Sequence, residues 1–386
     1  MKKLPPLLCA ALLLLCSCAP PKAQKAAAPI GAGQGKNLKI GVLLIGDESD
    51  NGYNYNHMVG LNAAASALGI RSDNIIVKRN VKDDEPCLAV LRELAEGGTD
   101  IIFATSYGYE PDVIAAAKEY PHIQFCHASG NMAAASGLPN MHNYFTKIFE
   151  ARYLTGIAAG LKAKEVGLPK LGYVGAFEIA EVISGFTAFY LGAKSVYPEV
   201  TMDVVFTQSW VDPMAEKQAA EELIARGCAV VSQHSDTDMP AIACENAGVF
   251  HVGYNSDMIP NAPHASLVSA RTDWSVYYSY AIGRAMNNEP IDADWCGGYA
   301  DGAVYLSPLN EAVCAPGTEE AIKEIQGKLA DGFHVFSGPL YGTGAGTGAD
   351  GETDALTLKE GEFYDESGKQ SAPSFHYIVD GVNIVR

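Results

Sequence analysis

Six short segments of this chain each couple an aromatic or imidazole ring to a carboxylate or an amide, and each follows a run of apolar residues. The first is Gly46 to His57, with Asp50, Tyr53 and Asn54 at its centre. The second is Ser106-Tyr107-Gly108-Tyr109, and the third is Ala176-Phe177-Glu178. Ser209-Trp210-Val211-Asp212-Pro213, Gln233-His234-Ser235-Asp236 and Tyr254-Asn255-Ser256-Asp257 complete the set. Rings offer flat faces to a flat ligand, whereas carboxylates, amides and hydroxyls read its edge by hydrogen bonding. This is the chemistry of recognition, and its candidates are Asp50, Tyr53, Asn54, Ser106, Tyr107, Trp210, His234, Asp236 and Asp257. Each residue alone has an ordinary alternative. Asp50 or Asp212 suits a helix cap, Tyr53 a core position and Asp257 a turn. Six such segments at equivalent places favour a shared site.

Catalysis is less well supported. His57, His127, His234, His251 and Asp236 are present, and Ser106, His234 and Asp257 can be assembled on paper into a hydrolytic set. No GxSxG elbow, P-loop or HExxH motif accompanies them. Gly172-Tyr-Val-Gly175 lacks the spacing of a dinucleotide fingerprint, and no CxxC or Cys/His metal spacing occurs. The expectation is a binding protein without cofactor or metal, with nucleoside hydrolysis as a minor alternative.

The elements that must position these segments follow from hydrophobic patterning. Short apolar runs at 39–45, 74–77, 101–105 and 124–127 predict strands, and amphipathic stretches at 57–68, 88–97 and 111–119 predict helices. The alternation resumes after residue 145. Helices are expected at 149–163, 180–195, 214–226 and 239–247, with strands at 170–174, 204–207, 229–232 and 250–252. Uninterrupted Val/Ile/Leu strands separated by helices argue for parallel sheets covered on both faces. Two such series predict two α/β lobes, the first from 37–145 with about 268–340 and the second from 146–267. Residues 341–386 are expected to form a loop and return segment. In such folds ligands sit beyond the carboxyl ends of the strands, which is where the six segments lie.

The N-terminus carries a different message. Lys2 and Lys3 precede an apolar run ending at Leu15-Cys16-Ser17-Cys18, which is too short to remain as a spanning helix. The run resembles a bacterial lipoprotein signal over residues 1–17, with Cys18 as the acylated first residue of the mature chain. Residues 18–36, rich in Ala, Pro, Lys, Gln and Gly, read as a flexible linker. The net charge of −18 rises to −20 without residues 1–17, which carry two lysines and no acid. Such acidity argues against nucleic acid as a partner and leaves the lipid as the contact with a membrane. Six cysteines follow Cys18. Cys296 and Cys314 could pair, though buried thiols are the simpler expectation.

Longer segments then identify a family. Asp50-Asn-Gly-Tyr-Asn-Tyr, Phe103-Ala-Thr-Ser-Tyr-Gly-Tyr, Glu150-Ala-Arg-Tyr-Leu-Thr-Gly, Ser209-Trp-Val-Asp-Pro213 and Gly253-Tyr-Asn-Ser-Asp-Met258 resemble the basic membrane protein family. Its members are substrate-binding lipoproteins of bacterial ABC importers, including purine nucleoside receptors. The resemblance implies a type I periplasmic-binding-protein fold, a small-molecule ligand, permease subunits as partners and an extracytoplasmic, lipid-anchored location. It further implies that Tyr53 and Trp210 stack on a purine from opposite lobes, that Asn54 meets the base edge, and that Asp257 binds ribose hydroxyls. Nucleoside receptors follow that aspartate with a lysine, where this chain has Thr272. Thr272-Asp-Trp-Ser-Val-Tyr-Tyr278 resembles a Trp-containing branch, which adds Trp274 to the candidates and tilts the expected ligand from nucleoside to a free base such as adenine. A sensor that uses the same cleft without a transporter is the other alternative.

Overall fold

The structure is a computed structural model that describes residues 37–83, 85–345 and 354–386; the expected signal, linker and Cys18 lie outside these residues. The chain begins with β1 (Ile40–Leu43), α1 (Tyr53–Leu68), β2 (Ile75–Lys78), α2 (Leu88–Glu96) and β3 (Ile101–Ala104). There follow α3 (Glu110–Glu119), β4 (Gln124–Ala128), α4 (Ala133–Ser136) and β5 (Met141–Thr146). It then crosses into α5 (Ile148–Val166), β6 (Lys170–Gly175), α6 (Ala180–Val196), β7 (Thr201–Phe206), α7 (Pro213–Ala225), β8 (Val230–His234), α8 (Met239–Ala247), β9 (Phe250–Tyr254) and β10 (Ser266–Thr272). The remainder is α9 (Trp274–Asn287), β11 (Asp294–Gly297), β12 (Val304–Leu306), α10 (Thr318–Ala330), β13 (Leu340–Gly344), β14 (Ala355–Leu358), β15 (Tyr377–Val379) and β16 (Val382–Ile384).

Two sheets result. The first has the order β11-β5-β4-β3-β1-β2 and is parallel throughout. The second runs β12-β10-β9-β8-β6-β7-β16, parallel except for β12. The strands β1 and β3 are buried along their whole length, as apolar parallel strands with helices on both faces must be. Among the described residues no helix is long and apolar enough to cross a membrane.

Three segments join the lobes, and they lie side by side. Thr146, at the end of β5, and Thr272, at the end of β10, share a 3.1 Å hydrogen bond through their hydroxyls. The Lys147 amide donates to the Gly297 carbonyl at 2.8 Å, and the Asp273 amide donates to Ala303 at 2.8 Å. Glu150 accepts from the Tyr299 amide at 2.6 Å. Thr272, the position at which the family resemblance expects a lysine, is therefore a buried hinge residue.

Two expectations are corrected. Residues 268–340 do not return to the first lobe as a block. Strand β10 pairs with β9, β12 pairs with β10, and Ile322 and Leu329 of α10 join the core around α5. Only α9 and β11 go back. The strand β10 carries Ser266 and Ser269. In the fold Ser266 meets His251, and Ser269 meets Ser307. The C-terminal segment is likewise more than a loop, since β13, β14 and β15 form a small antiparallel sheet and β16 extends the second lobe's sheet beside β7. The start of the expected 341–386 loop belongs to β13, and residues 346–353 lie outside the described ones. The pattern also passed over β5, whose polar Met-His-Asn-Tyr-Phe-Thr sequence is buried. His142 hydrogen-bonds Gln124, and Asn143 receives the Ala133 amide, so burial leaves these polar groups paired. The six cysteines of the described chain are free thiols, and the possible Cys296–Cys314 bridge is not formed.

The second lobe's core rests on α5 and α6, which approach through glycines. A Cβ on Gly156 would lie 2.0 Å from the Phe189 carbonyl oxygen, and one on Gly192 would lie 2.0 Å from that of Tyr153. Backbone so close to backbone leaves no room for even a methyl group. Gly192→Ala should therefore push the helices apart and destabilise the lobe by about 1–3 kcal/mol, the usual cost of overpacking, read as a lower urea midpoint.

Candidate functional site

A cavity lies between the lobes, bounded by Ile45, Tyr53, Thr105, Ser106, Tyr107 and Ser129 from the first lobe and by Glu181, Trp210, His234, Asp236 and Tyr254 from the second. These residues cluster just beyond the carboxyl ends of strands, or on the first turn of the following helix, where the backbone leaves the sheet and side chains can turn toward a ligand.

The first wall is fixed by the turn after β1. Asp50 accepts from the amides of Gly52 (3.0 Å), Asn54 (2.8 Å) and Tyr55 (3.1 Å) and from the Asn54 side-chain amide (2.8 Å). Asn54 in turn accepts from the Gly46 amide at 3.3 Å. Asp50 thus caps α1 and, with Asn54, sets the start of the helix; neither side chain lines the cavity. The helix begins four residues earlier than its pattern predicts, so Tyr53 is its first residue. The Tyr53 hydroxyl donates to the Thr105 carbonyl at 2.6 Å, which fixes the ring at the cavity wall. Behind it His57 stacks on Trp274 at 4.2 Å between centroids, and Trp274 meets Tyr53 edge-on at 6.3 Å. Trp274 is therefore a buried support for the wall and not part of its lining. Ser106 donates to Asp83 at 2.6 Å, and Tyr107, 54% exposed, stands at the mouth.

The second wall carries Trp210, edge-on to Phe177 at 5.4 Å, with its carbonyl accepting the Asp236 amide at 3.0 Å. His234 packs against Tyr254 at 4.7 Å, and the Arg152 guanidinium covers the Tyr254 ring at 3.7 Å while donating to the Gln233 carbonyl at 2.7 Å. Both nitrogens of buried His234 lack hydrogen-bond partners among the described residues. Burial holds its imidazole well below the usual range, so it is neutral near pH 7.

Two carboxyl groups face this space. Burial, reinforced by the neighbouring carboxylates of Asp50, Glu216, Glu181 and Asp83, raises Asp236 well above the usual carboxylate range. Burial also pushes Glu181 up to about 7, against the opposing influence of a hydrogen bond with Ser129 and the charge of Arg152. No lysine or arginine lines the cavity.

Asp257 is not where the resemblance puts it. Its carboxylate accepts from the Ile259 amide at 3.1 Å, forming a turn, and it borders an outer depression with Asn51, Tyr55 and Ser256. Of the ten candidates the structure gathers Tyr53, Ser106, Tyr107, Trp210, His234 and Asp236 around one cavity. Asp50, Asn54 and Trp274 stand behind its wall, and Asp257 lies outside. Glu181, Ser129, Thr105, Ile45 and Tyr254 were missed as lining residues. Glu178 drew attention as the carboxylate nearest the strand, but Glu181 lies one helical turn further and faces inward, and that turn of helix was the available signal.

The lobes meet at the mouth. Ser256 donates to the Asn51 carbonyl, and a Cβ on Gly52 would fall 1.9 Å from the Asp236 carbonyl oxygen.

Two parallel-sheet lobes, three hinge segments and a cleft at the strands' carboxyl ends define a type I periplasmic-binding-protein fold. Solved structures agree on the fold. An ABC-transporter solute-binding protein from Conexibacter woesei superposes with a TM-score of 0.60 at 18% identity, covering 76% of this chain and 97% of its own. One from Aeropyrum pernix gives 0.60 at 18% identity, with 75% and 86% covered. Residues 37–335 match the family described as ABC transporter substrate-binding protein PnrA-like, and the chain belongs to this Bmp family. It is similar to a purine-binding protein of Brucella abortus, 30% identical over 79% of this chain and 85% of the relative. It is also similar to a putative ABC-transporter glucose-binding protein of Haloferax volcanii, 32% identical over 74% of this chain and 69% of the relative. Membership makes it an extracytoplasmic substrate-binding protein that passes a small molecule to a permease.

Gly52 has φ −128° and ψ −118°, a combination outside the regions open to alanine, and it packs against the Asp236 carbonyl. Gly52→Ala should therefore strain this turn and wedge the mouth, weakening ligand binding at least tenfold, as measured by titration calorimetry.

Proposed function

We propose that this chain captures a purine, with a free base such as adenine preferred over a nucleoside, and delivers it to an ABC importer while held to the membrane by lipid on Cys18. The observation that carries the reading is the pair of rings, Tyr53 and Trp210, set on opposite lobes around a cavity whose ionisable lining is acidic and whose only imidazole is neutral. Rings from both lobes suit a flat heteroaromatic ligand, because each lobe contributes one face and closure completes the site. Acidic and hydroxyl groups at the edge suit a ligand rich in N–H donors. The Brucella relative named for purine binding supports the same class.

Base over nucleoside rests on two observations. Asp257, expected to bind ribose, caps a turn at the rim. Thr272 occupies the hinge, with its hydroxyl on Thr146. Asp236 replaces Asp257 as the carboxyl facing the ligand. A sugar is the second reading, because rings and carboxyls also bind sugars and the Haloferax relative is named for glucose.

Titration calorimetry separates these ligands. Adenine should bind more tightly than adenosine, and glucose should not bind; adenosine winning by tenfold returns the chain to nucleosides, and glucose binding without purine binding sinks the reading. Tyr53→Ala or Trp210→Ala should cost about 1–3 kcal/mol, or roughly five- to 150-fold in affinity. Asp236→Ala should remove most binding, whereas Asp257→Ala should change it less than about threefold.

A further inference from the structure

Glu181 is the one lining carboxyl that stands between the lobes. It projects from the first turn of α6 in the second lobe and shares the cavity lining with Ser129, which follows β4 in the first. One of its oxygens lies 3.7 Å from Nε2 of His234. No cation forms an ion pair with it, and the charge of Arg152 offsets its burial only in part. His234 is buried and neutral, and Tyr254 and Tyr53 are un-ionised phenols. Asp236 and Asp83 are acids that repel a second negative charge. The Arg152 guanidinium is committed to the Gln233 carbonyl and to the face of Tyr254. An ionised carboxylate placed here would be buried without an ion-pair partner, which is costly.

We propose that Glu181 reads the ligand as a neutral carboxylic acid, donating through its O–H and accepting through its C=O, and so selects an edge that places an N–H beside a ring nitrogen acceptor. This deepens the purine reading and rests on it. The pattern distinguishes ligands. A carboxylate only accepts and fits an edge of two donors, whereas the acid fits one donor beside one acceptor. Adenine presents such a pair on each of its edges. A guanine edge of two adjacent N–H donors suits the ionised form instead.

Protonation follows from closure. In a cleft open to water the carboxyl keeps an ordinary value of about 4.3, and in the closed cleft it lies at about 7. A raised acid takes up a proton as the lobes close anywhere between these values. Affinity contributed by Glu181 is therefore fully present at acid pH and falls as pH rises across this span.

The test uses the full chain with adenine and guanine as probes and compares wild type with Glu181→Gln and Glu181→Ala. Glutamine keeps one donor and one acceptor in nearly the same volume. At pH 6 Glu181→Gln, which takes up no proton, should bind adenine at least as tightly as wild type, and Glu181→Ala should bind at least tenfold more weakly than Glu181→Gln. Calorimetry in buffers of different ionisation enthalpy should show close to one proton fewer taken up by Glu181→Gln than by wild type. Thermal unfolding establishes that each variant is folded. If wild type binds adenine while Glu181→Gln loses tenfold or more, or takes up as many protons, Glu181 acts as an ionised acceptor and the assignment is overturned. A wild-type preference for guanine over adenine also overturns it. Failure of wild type to bind either base removes the purine reading itself, and this assignment with it.

Discussion

The constraint on which this molecule depends is the lateral bonding of its three hinge segments. Thr146 with Thr272, Lys147 with Gly297, and Asp273 with Ala303 tie the segments into one narrow band. Because each segment leaves one parallel sheet and enters the other, the band holds the carboxyl ends of both sheets facing one another. That arrangement turns six unrelated post-strand segments into two walls of one cavity. The band is narrow, so rotation about it is the motion that costs least packing, and the cleft opens and shuts without disturbing either core.

The walls differ in how they are held. On the first lobe the tyrosine is immobilised by a hydrogen bond to Thr105 and by the His57–Trp274 stack behind it. On the second, Trp210 is fixed through its backbone by Asp236 and through its ring by Phe177. Both rings therefore present a prearranged face, so binding loses little rotamer freedom. The polar groups at the edge are different in character. Asp236 and Glu181 are carboxyls without cationic partners, a costly arrangement in a buried space. A ligand that supplies N–H donors relieves that cost, which couples recognition to closure.

Resemblance and geometry agree on the rings and disagree on the acids. The family pattern points to Asp257, but Asp236, two residues beyond β8, faces the cleft, whereas Asp257, three residues beyond β9, faces the rim. Asp236 faces inward because Gln233, near the end of β8, anchors the following loop by donating to the carbonyls of Ser235 and Thr237. Asp257 faces outward because its carboxylate closes the turn onto Ile259. No spacing rule separates these outcomes.

Much was legible in the residues alone. Apolar strands alternating with amphipathic helices determined the two parallel sheets, and the family segments determined the membership and pointed to the two rings that line the cavity. Aspartate before a helix signalled a cap at both Asp50 and Asp212, where the local backbone supplies the donors. Local pattern failed wherever burial was paired by a distant partner. The strand β5 hides behind its histidine and asparagine, because their hydrogen-bond partners lie in other strands or loops. Tertiary structure alone decided that β10 and β12 belong to the second sheet, that Thr272 is a hinge residue and that Glu181 completes the site. Each depends on which atoms meet across the lobes, and hydrogen-bond pairing and desolvation act through space without regard to separation along the chain.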